Sequence, residues 1–239
     1  MKQIKLFTIP YAGGSSVVFQ EWKKYFDNEI ELIPIELAGR GKRFNNPLYN
    51  TLEEAVDDVL KQIQSCLVPG DDYALFGHSM GGLIVFEICY KLKEIGMDDP
   101  LHVFFSGISA PHKKMDTLDY KYLLPDDEFL MFLEDLGGTP KECLENDALM
   151  EIFIPIIKAD YKLVETYKFN KKIPLNYDIS VIYGNRDDMQ VGDIEEWKIH
   201  TTKQCRFFEF DGGHFFIQPF KREVIQVIKN VLHKQRDWK

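Results

Sequence analysis

Apolar residues follow two alternating patterns along the chain. Short runs rich in β-branched and aromatic residues recur at Ile4 to Ile9, Ile30 to Ile35, Tyr73 to Phe76, Leu101 to Ser106, Ile179 to Tyr183 and Cys205 to Phe210, and such runs predict strands. Between most of them apolar positions repeat at helical spacing, as in Leu52, Ala55, Val56, Val59, Leu60, Ile63 and Leu67. Strand alternating with helix predicts βαβ units. Strands that are apolar at nearly every position predict burial on both faces, so the expected fold is α/β with a mainly parallel sheet and helices on both sides.

The alternation stops between Pro111 and Pro174, where helical patterns continue without a convincing strand. This predicts a helical insertion, a lid. Asp126 and Asp127 lead into Phe129, Leu130, Phe132, Leu133 and Leu136, and Gly137-Gly138 supplies a helix stop. Thr139-Pro140-Lys141-Glu142 has the form of a capping box that starts a second helix. A third is expected from about Asp147 to Lys168, kinked or broken at Pro155. The lid positions Phe129, Phe132, Leu133, Phe153, Ile156 and Ile157 either pack on the main sheet as lid core or line an acyl pocket.

The 239 residues fit one α/β unit, residues 1–239, with the lid inserted at about 111–174. Lys and Arg number 29 against 38 Asp and Glu, a net charge of −9 with no basic stripe, which argues against a nucleic-acid partner. Cys66, Cys89, Cys143 and Cys205 lie far apart without metal-site spacing, as expected of reduced thiols in a cytoplasm. The apolar start is cut by Pro10 and Gly13-Gly14 before it reaches the length of a signal-peptide core, and no run is long enough for a membrane span.

Candidate chemistry centres on Gly77-His78-Ser79-Met80-Gly81, which follows one strand and precedes the apolar-periodic run Leu83 to Leu92. Gly-x-Ser-x-Gly in that setting is a nucleophile elbow, a tight turn that presents Ser79 as nucleophile. A serine hydroxyl needs a base, itself oriented by a carboxylate, in the chain order Ser, Asp, His. His214 follows the last strand, in Gly212-Gly213-His214, and Asp187 and Asp188 follow the strand before it. Asp187 is favoured from its place three residues beyond Gly184, with Asp188 as the alternative. Of the other histidines, His78 is expected to support the elbow. The tetrahedral intermediate needs preorganised donors worth roughly 3 kcal/mol each. Met80 N–H is one candidate, and the loop Pro10 to Ser16 offers a second, taken as Ala12 N–H. That loop lacks a P-loop lysine and a dinucleotide fingerprint.

Taken together, these residues resemble the type II thioesterases that accompany nonribosomal peptide and polyketide synthases. The likeness rests on Pro10-Tyr11-Ala12-Gly13-Gly14, Gly39-Arg40-Gly41, Gly77 to Gly82, Leu124 to Asp127, Leu136 to Pro140, Ala159-Asp160-Tyr161 with Glu165 and Tyr167, and Gly212 to Phe216. Ala38 departs from the proline often found before Gly-Arg-Gly. The resemblance implies an α/β-hydrolase fold, a Ser79, Asp187, His214 triad, and hydrolysis of acyl or aminoacyl thioesters on phosphopantetheinylated carrier proteins supplied in trans. It implies no cofactor or metal, and a monomer is expected. An acidic carrier would then dock through apolar lid contacts and basic pairs such as Lys113-Lys114 or Lys171-Lys172. The rival readings are a general carboxylesterase or lipase-like hydrolase, a product-releasing thioesterase, and a non-catalytic binding protein on the same fold; the last would need none of the three residues.

Overall fold

The protein is described here by a computed structural model covering residues 2–113, 120–189 and 192–236. Strands β1 (Ile4–Ile9), β2 (Ile30–Pro34), β3 (Tyr73–His78), β4 (His102–Ser106), β5 (Ile179–Gly184) and β6 (Cys205–Phe210) form one sheet. Their order is β2-β1-β3-β4-β5-β6, and every pairing is parallel. All six lie where the apolar runs place them; β3 continues two residues further, carrying its backbone up to the elbow.

Successive strand residues point to opposite faces, which explains why these strands are apolar throughout. Phe7, Leu75, Phe105 and Val181 face one side and pack on α2 (Leu52–Cys66) and α3 (Met80–Glu94). Their neighbours Leu6, Ala74, Phe104 and Ile182 face the other side and pack on α1 (Val17–Gln20) and the C-terminal helix, in which Val224, Ile225 and Ile228 are buried. The two clusters are the two halves of the core, with the sheet between them.

Between β4 and β5 the described residues contain no strand. They hold α4 (Asp126–Leu136), α5 (Lys141–Leu144) and α6 (Asp147–Thr166), and the C-terminal helix is thus α7 (Lys221–Arg236). Phe129, Leu133, Met150, Ile154, Ile157 and Tyr161 make a separate small core within this lid. The Glu165 carboxylate on α6 accepts the backbone N–H groups of Lys121 and Tyr122 at 2.9 and 3.1 Å, tying the lid's entry to its last helix.

Of the kink or break expected at Pro155, the break is excluded: α6 runs through it to Thr166. The missing donor costs a helix hydrogen bond, but Ile154, Ile156 and Ile157 around it are all buried and hold the helix in place. The capping box at Thr139 does not form. Pro140 stands before the helix with an extended ψ of 139°, so the Thr139 side chain lies too far upstream to reach the first turn, and α5 is only four residues long. The stop at Gly137 does form, at a φ of +74°.

Candidate active site

The site is built where β1, β3, β5 and β6 end. Ser79, between β3 and α3, has φ +54° and ψ −119° and is the one non-glycine residue with positive φ among the described residues. Such a conformation is costly for a side chain and persists only where the surroundings enforce it. Here Ser79 N–H donates to Ser106 O at 2.8 Å, and Ser79 O accepts Gly82 N–H at 2.8 Å. Glycines make the turn possible, because a Cβ on Gly77 would lie 2.1 Å from Gly81 O.

His214 Nε2 is 2.9 Å from Ser79 Oγ, and His214 Nδ1 is 2.9 Å from Asp187 Oδ2. The imidazole and carboxylate are both buried. Asp187 Oδ1 accepts Met189 N–H at 3.0 Å, while Asp187 N–H donates back to Gly184 O at 3.3 Å, closing the turn after β5. The loops after β5 and β6 approach so closely that a Cβ on Gly184 would lie 2.2 Å from Gly212 O, and Arg186 N–H donates to Gly212 O at 3.0 Å. That contact carries Asp187 to His214. Asp188 makes no hydrogen bond to His214; it lines the adjoining cavity instead.

His78 lies beneath the site and is fully buried, with Nδ1 2.9 Å from Ser106 Oγ and its ring against Tyr11, His214 and Phe216. Burial, and then the neighbouring His214, hold its pKa well below the usual histidine range. A histidine that stays neutral and bonds Ser106 is a support for the turn. The N–H of Met80 opens α3, where the helix dipole is positive. Among the described residues neither Met80 N–H nor Ala12 N–H donates to a protein acceptor.

Ser79 and His214 open into a cavity of about 370 Å³, walled by Leu83, Ile108, Ala110, Phe132, Tyr161 and Val164 among others. A volume in this range and a mostly apolar wall suit a small acyl chain. On the other side of Tyr161 lies a second cavity of about 340 Å³, bounded by the loop Tyr11 to Ser15, Phe153, Ile157 and Phe215. Of the lid's apolar positions, Phe132 lines the first cavity, Phe153 and Ile157 line the second, and Phe129 belongs to the lid core. The basic pairs are partly engaged. Lys113 pairs with Glu196 at 2.9 Å and Lys172 with Glu87 at 2.6 Å, while Lys171 is exposed; Lys114 lies outside the described residues.

Sequence reading missed Arg40 and Asp160 as part of the site. Both were visible in the segments Gly39-Arg40-Gly41 and Ala159-Asp160-Tyr161, but nothing in a sequence pairs residues so far apart. The structure joins them under the glycine loop, with Arg40 Nη1 2.6 Å from Asp160 Oδ2.

The chain is similar to known proteins along nearly its whole length. The family model described as thioesterase domain matches residues 4–234. Linear gramicidin dehydrogenase LgrE of Brevibacillus parabrevis is 33% identical over 236 residues, covering 96% of this chain and 88% of that protein. Gramicidin S biosynthesis protein GrsT of Aneurinibacillus migulanus is 34% identical over 226 residues, covering 94% and 87%. The crystal structure of ClbQ from the colibactin NRPS/PKS pathway superposes with a TM-score of 0.93 at 34% identity, over the whole of both chains. The chain belongs to the thioesterase family and carries its α/β-hydrolase fold.

Proposed function

We propose that this protein is a stand-alone type II thioesterase that hydrolyses acyl or aminoacyl thioesters from phosphopantetheinylated carrier proteins of a nonribosomal peptide or polyketide synthase, clearing misprimed or stalled groups. The observation that carries the reading is the hydrogen-bonded series Ser79, His214, Asp187 opening into an apolar cavity of about 370 Å³. The pathways named for GrsT and ClbQ supply the substrate class.

In this mechanism Ser79 Oγ attacks the thioester carbonyl carbon while His214 Nε2 takes the hydroxyl proton. The carbonyl oxygen becomes an oxyanion, met by Met80 N–H and Ala12 N–H. The C–S bond then breaks, the pantetheine thiol leaves with the proton from His214, and the acyl group stays on Ser79. Water enters, His214 removes its proton, and the ester C–O bond breaks to give the free acid and Ser79 again. Asp187 orients the imidazole throughout and stabilises its charged form. A thiol of pKa about 8.5 leaves readily, so little acid assistance is needed.

The reaction requires no metal or redox cofactor of the protein's own. Hydride transfer, which the name of LgrE would suggest, needs a bound hydride carrier, and the loop after β1 lacks the dinucleotide fingerprint. Among the described residues no helix is long and apolar enough to cross a membrane. The proposal includes a monomer that acts beside its synthase in the cytoplasm. Mass spectrometry of an acylated carrier incubated with the enzyme tests the proposal: loss of the acyl mass with the pantetheine arm retained is expected. A strong preference for simple aryl esters over carrier thioesters would favour a general esterase instead.

A further inference from the structure

Arg40 and Asp160 take no part in the hydrogen bonds from Ser79 to Asp187, yet they are 3% and 1% exposed. They form a bidentate fork, with Arg40 Nη1 2.6 Å from Asp160 Oδ2 and Arg40 Nη2 2.8 Å from Asp160 Oδ1. Their remaining bonds all go to backbone. Asp160 Oδ2 also accepts Gly13 N–H at 2.7 Å. Arg40 Nη1 also donates to Gly14 O at 3.1 Å, and Arg40 Nε donates to Ala38 O at 3.2 Å. An arginine beyond β2 and an aspartate from lid helix α6 therefore grip successive residues of the loop after β1.

The gripped residues belong to a turn. Gly14 N–H donates to Tyr11 O at 2.9 Å, and Gly13, third in the turn, has φ +77°. Positive φ at that place is the type II arrangement. Its type I counterpart differs by rotation of the central peptide, the one joining Ala12 to Gly13, which would swing Gly13 N–H away from Asp160. A buried ion pair contributes little net stability against apolar groups of similar volume, and its best-supported use is to select one conformation. Here the fork holds the far end of the turn, at Gly13 N–H and Gly14 O, and Gly14 N–H on Tyr11 O ties that end to the Tyr11–Ala12 peptide, which carries Ala12 N–H.

We infer that Arg40 and Asp160 are positioning residues for the oxyanion donor at Ala12, so that the donor is aligned only while α6 is seated on the glycine loop. The inference rests on the proposed thioesterase reading, in which Ala12 N–H serves the oxyanion. It makes α6 a fixed part of the catalytic apparatus, whatever α4 and α5 do. Removing the Asp160 charge should weaken transition-state binding and leave ground-state binding nearly unchanged.

The test uses the full chain with Asp160→Asn and Arg40→Lys, an S-acyl-N-acetylcysteamine substrate, and a thioether trifluoromethyl ketone, which forms a tetrahedral oxyanion on an active serine. For Asp160→Asn the expected result is a fall in kcat of about 100-fold, the size of losing an oxyanion donor, with KM within about threefold. The ketone's inhibition constant should rise by a similar factor. Arg40→Lys keeps a charge on Asp160 but loses the fork, and should move the same two quantities by about tenfold. A purely structural role would reduce the amount of active enzyme and leave the inhibition constant of the remainder unchanged. Inhibition constants within about threefold of the parent in every variant that folds would overturn the inference. Should Asp160→Asn fail to fold, Arg40→Lys decides alone. A parent enzyme that neither hydrolyses the thioester nor reacts with the ketone would instead overturn the thioesterase reading beneath it.

Discussion

Gly81 lies so close to the end of β1 that a Cβ on it would stand 2.2 Å from the carbonyl oxygen of Ile9. The first turn of α3 thus rests directly on the strand that leads into the glycine loop, and the two proposed oxyanion donors, Met80 N–H and Ala12 N–H, come from the two sides of that contact. Backbone cannot move aside as a flexible side chain can. Gly81→Ala should therefore lower stability by at least about 3 kcal/mol, read as a fall in the thermal midpoint, and any folded remainder should turn over slowly. A variant with the parent's midpoint and rate would mean that the contact has no such role.

Asp187, hydrogen-bonded to His214, and Asp188, facing the cavity, should separate sharply on substitution. Asp187→Asn should cut kcat by about 10³ to 10⁴, because an amide favours the wrong imidazole tautomer. Asp188→Asn should stay within about tenfold of the parent and act mainly on KM. Steady-state kinetics on one thioester decides between them, and equal losses would put the orienting role in question.

The cavity wall sets a limit on acyl size. Ala110 lines the apolar cavity beside Ser79 and is itself buried, so a longer side chain there takes volume from the substrate. Ala110→Leu should lower kcat/KM for an octanoyl thioester relative to an acetyl thioester by at least about tenfold, the usual scale for a methylene or more in an apolar pocket. An unchanged ratio would place the acyl chain elsewhere, with the second cavity the next site to probe.

Buried histidines weaken the fold in acid; His78 is one, and His102 and His200, away from the active site, are two more. Burial pushes His102 down to about 3, and burial followed by the charge of His112 pushes His200 down to about 4. Unfolded imidazole titrates near 6.5, so below that pH the unfolded chain binds protons that the folded chain does not. Stability is full above about pH 6.5 and falls below it by about 1.4 kcal/mol per pH unit for each group. The loss should continue to about pH 4 for His200 and about pH 3 for His102. A thermal midpoint that declines from pH 6.5 to 4.5, with a shallower decline in His102→Gln, is expected; a flat profile in the parent would contradict it.

Much of this was legible in the sequence because it is local. The strand runs, the Gly-x-Ser-x-Gly turn and the Gly-Gly-His segment each carry their own backbone signature within a few residues. Asp187 and Asp188 are neighbours in one turn, and only the bond from Asp187 N–H to Gly184 O, with Gly184 pressed on Gly212, fixes which carboxylate meets His214. The Arg40–Asp160 fork is a long-range pairing with no local mark. Thr139 shows the opposite failure: it has a local signature that the extended ψ of Pro140 overrides. The depth of the cavity comes from Leu83, Ile108, Phe132 and Val164, which different segments bring together, and no single segment announces it.

Ser79, activated by His214, takes the acyl group from a carrier-bound thioester in the proposed reaction. Intact-mass measurement of an acetylated carrier incubated with the parent and with Ser79→Ala tests this most directly. The parent should remove the acetyl mass and leave the pantetheine arm in place, and the variant should leave the acetyl carrier unchanged over the same interval. Deacetylation by Ser79→Ala at near the parent's rate would contradict the claim.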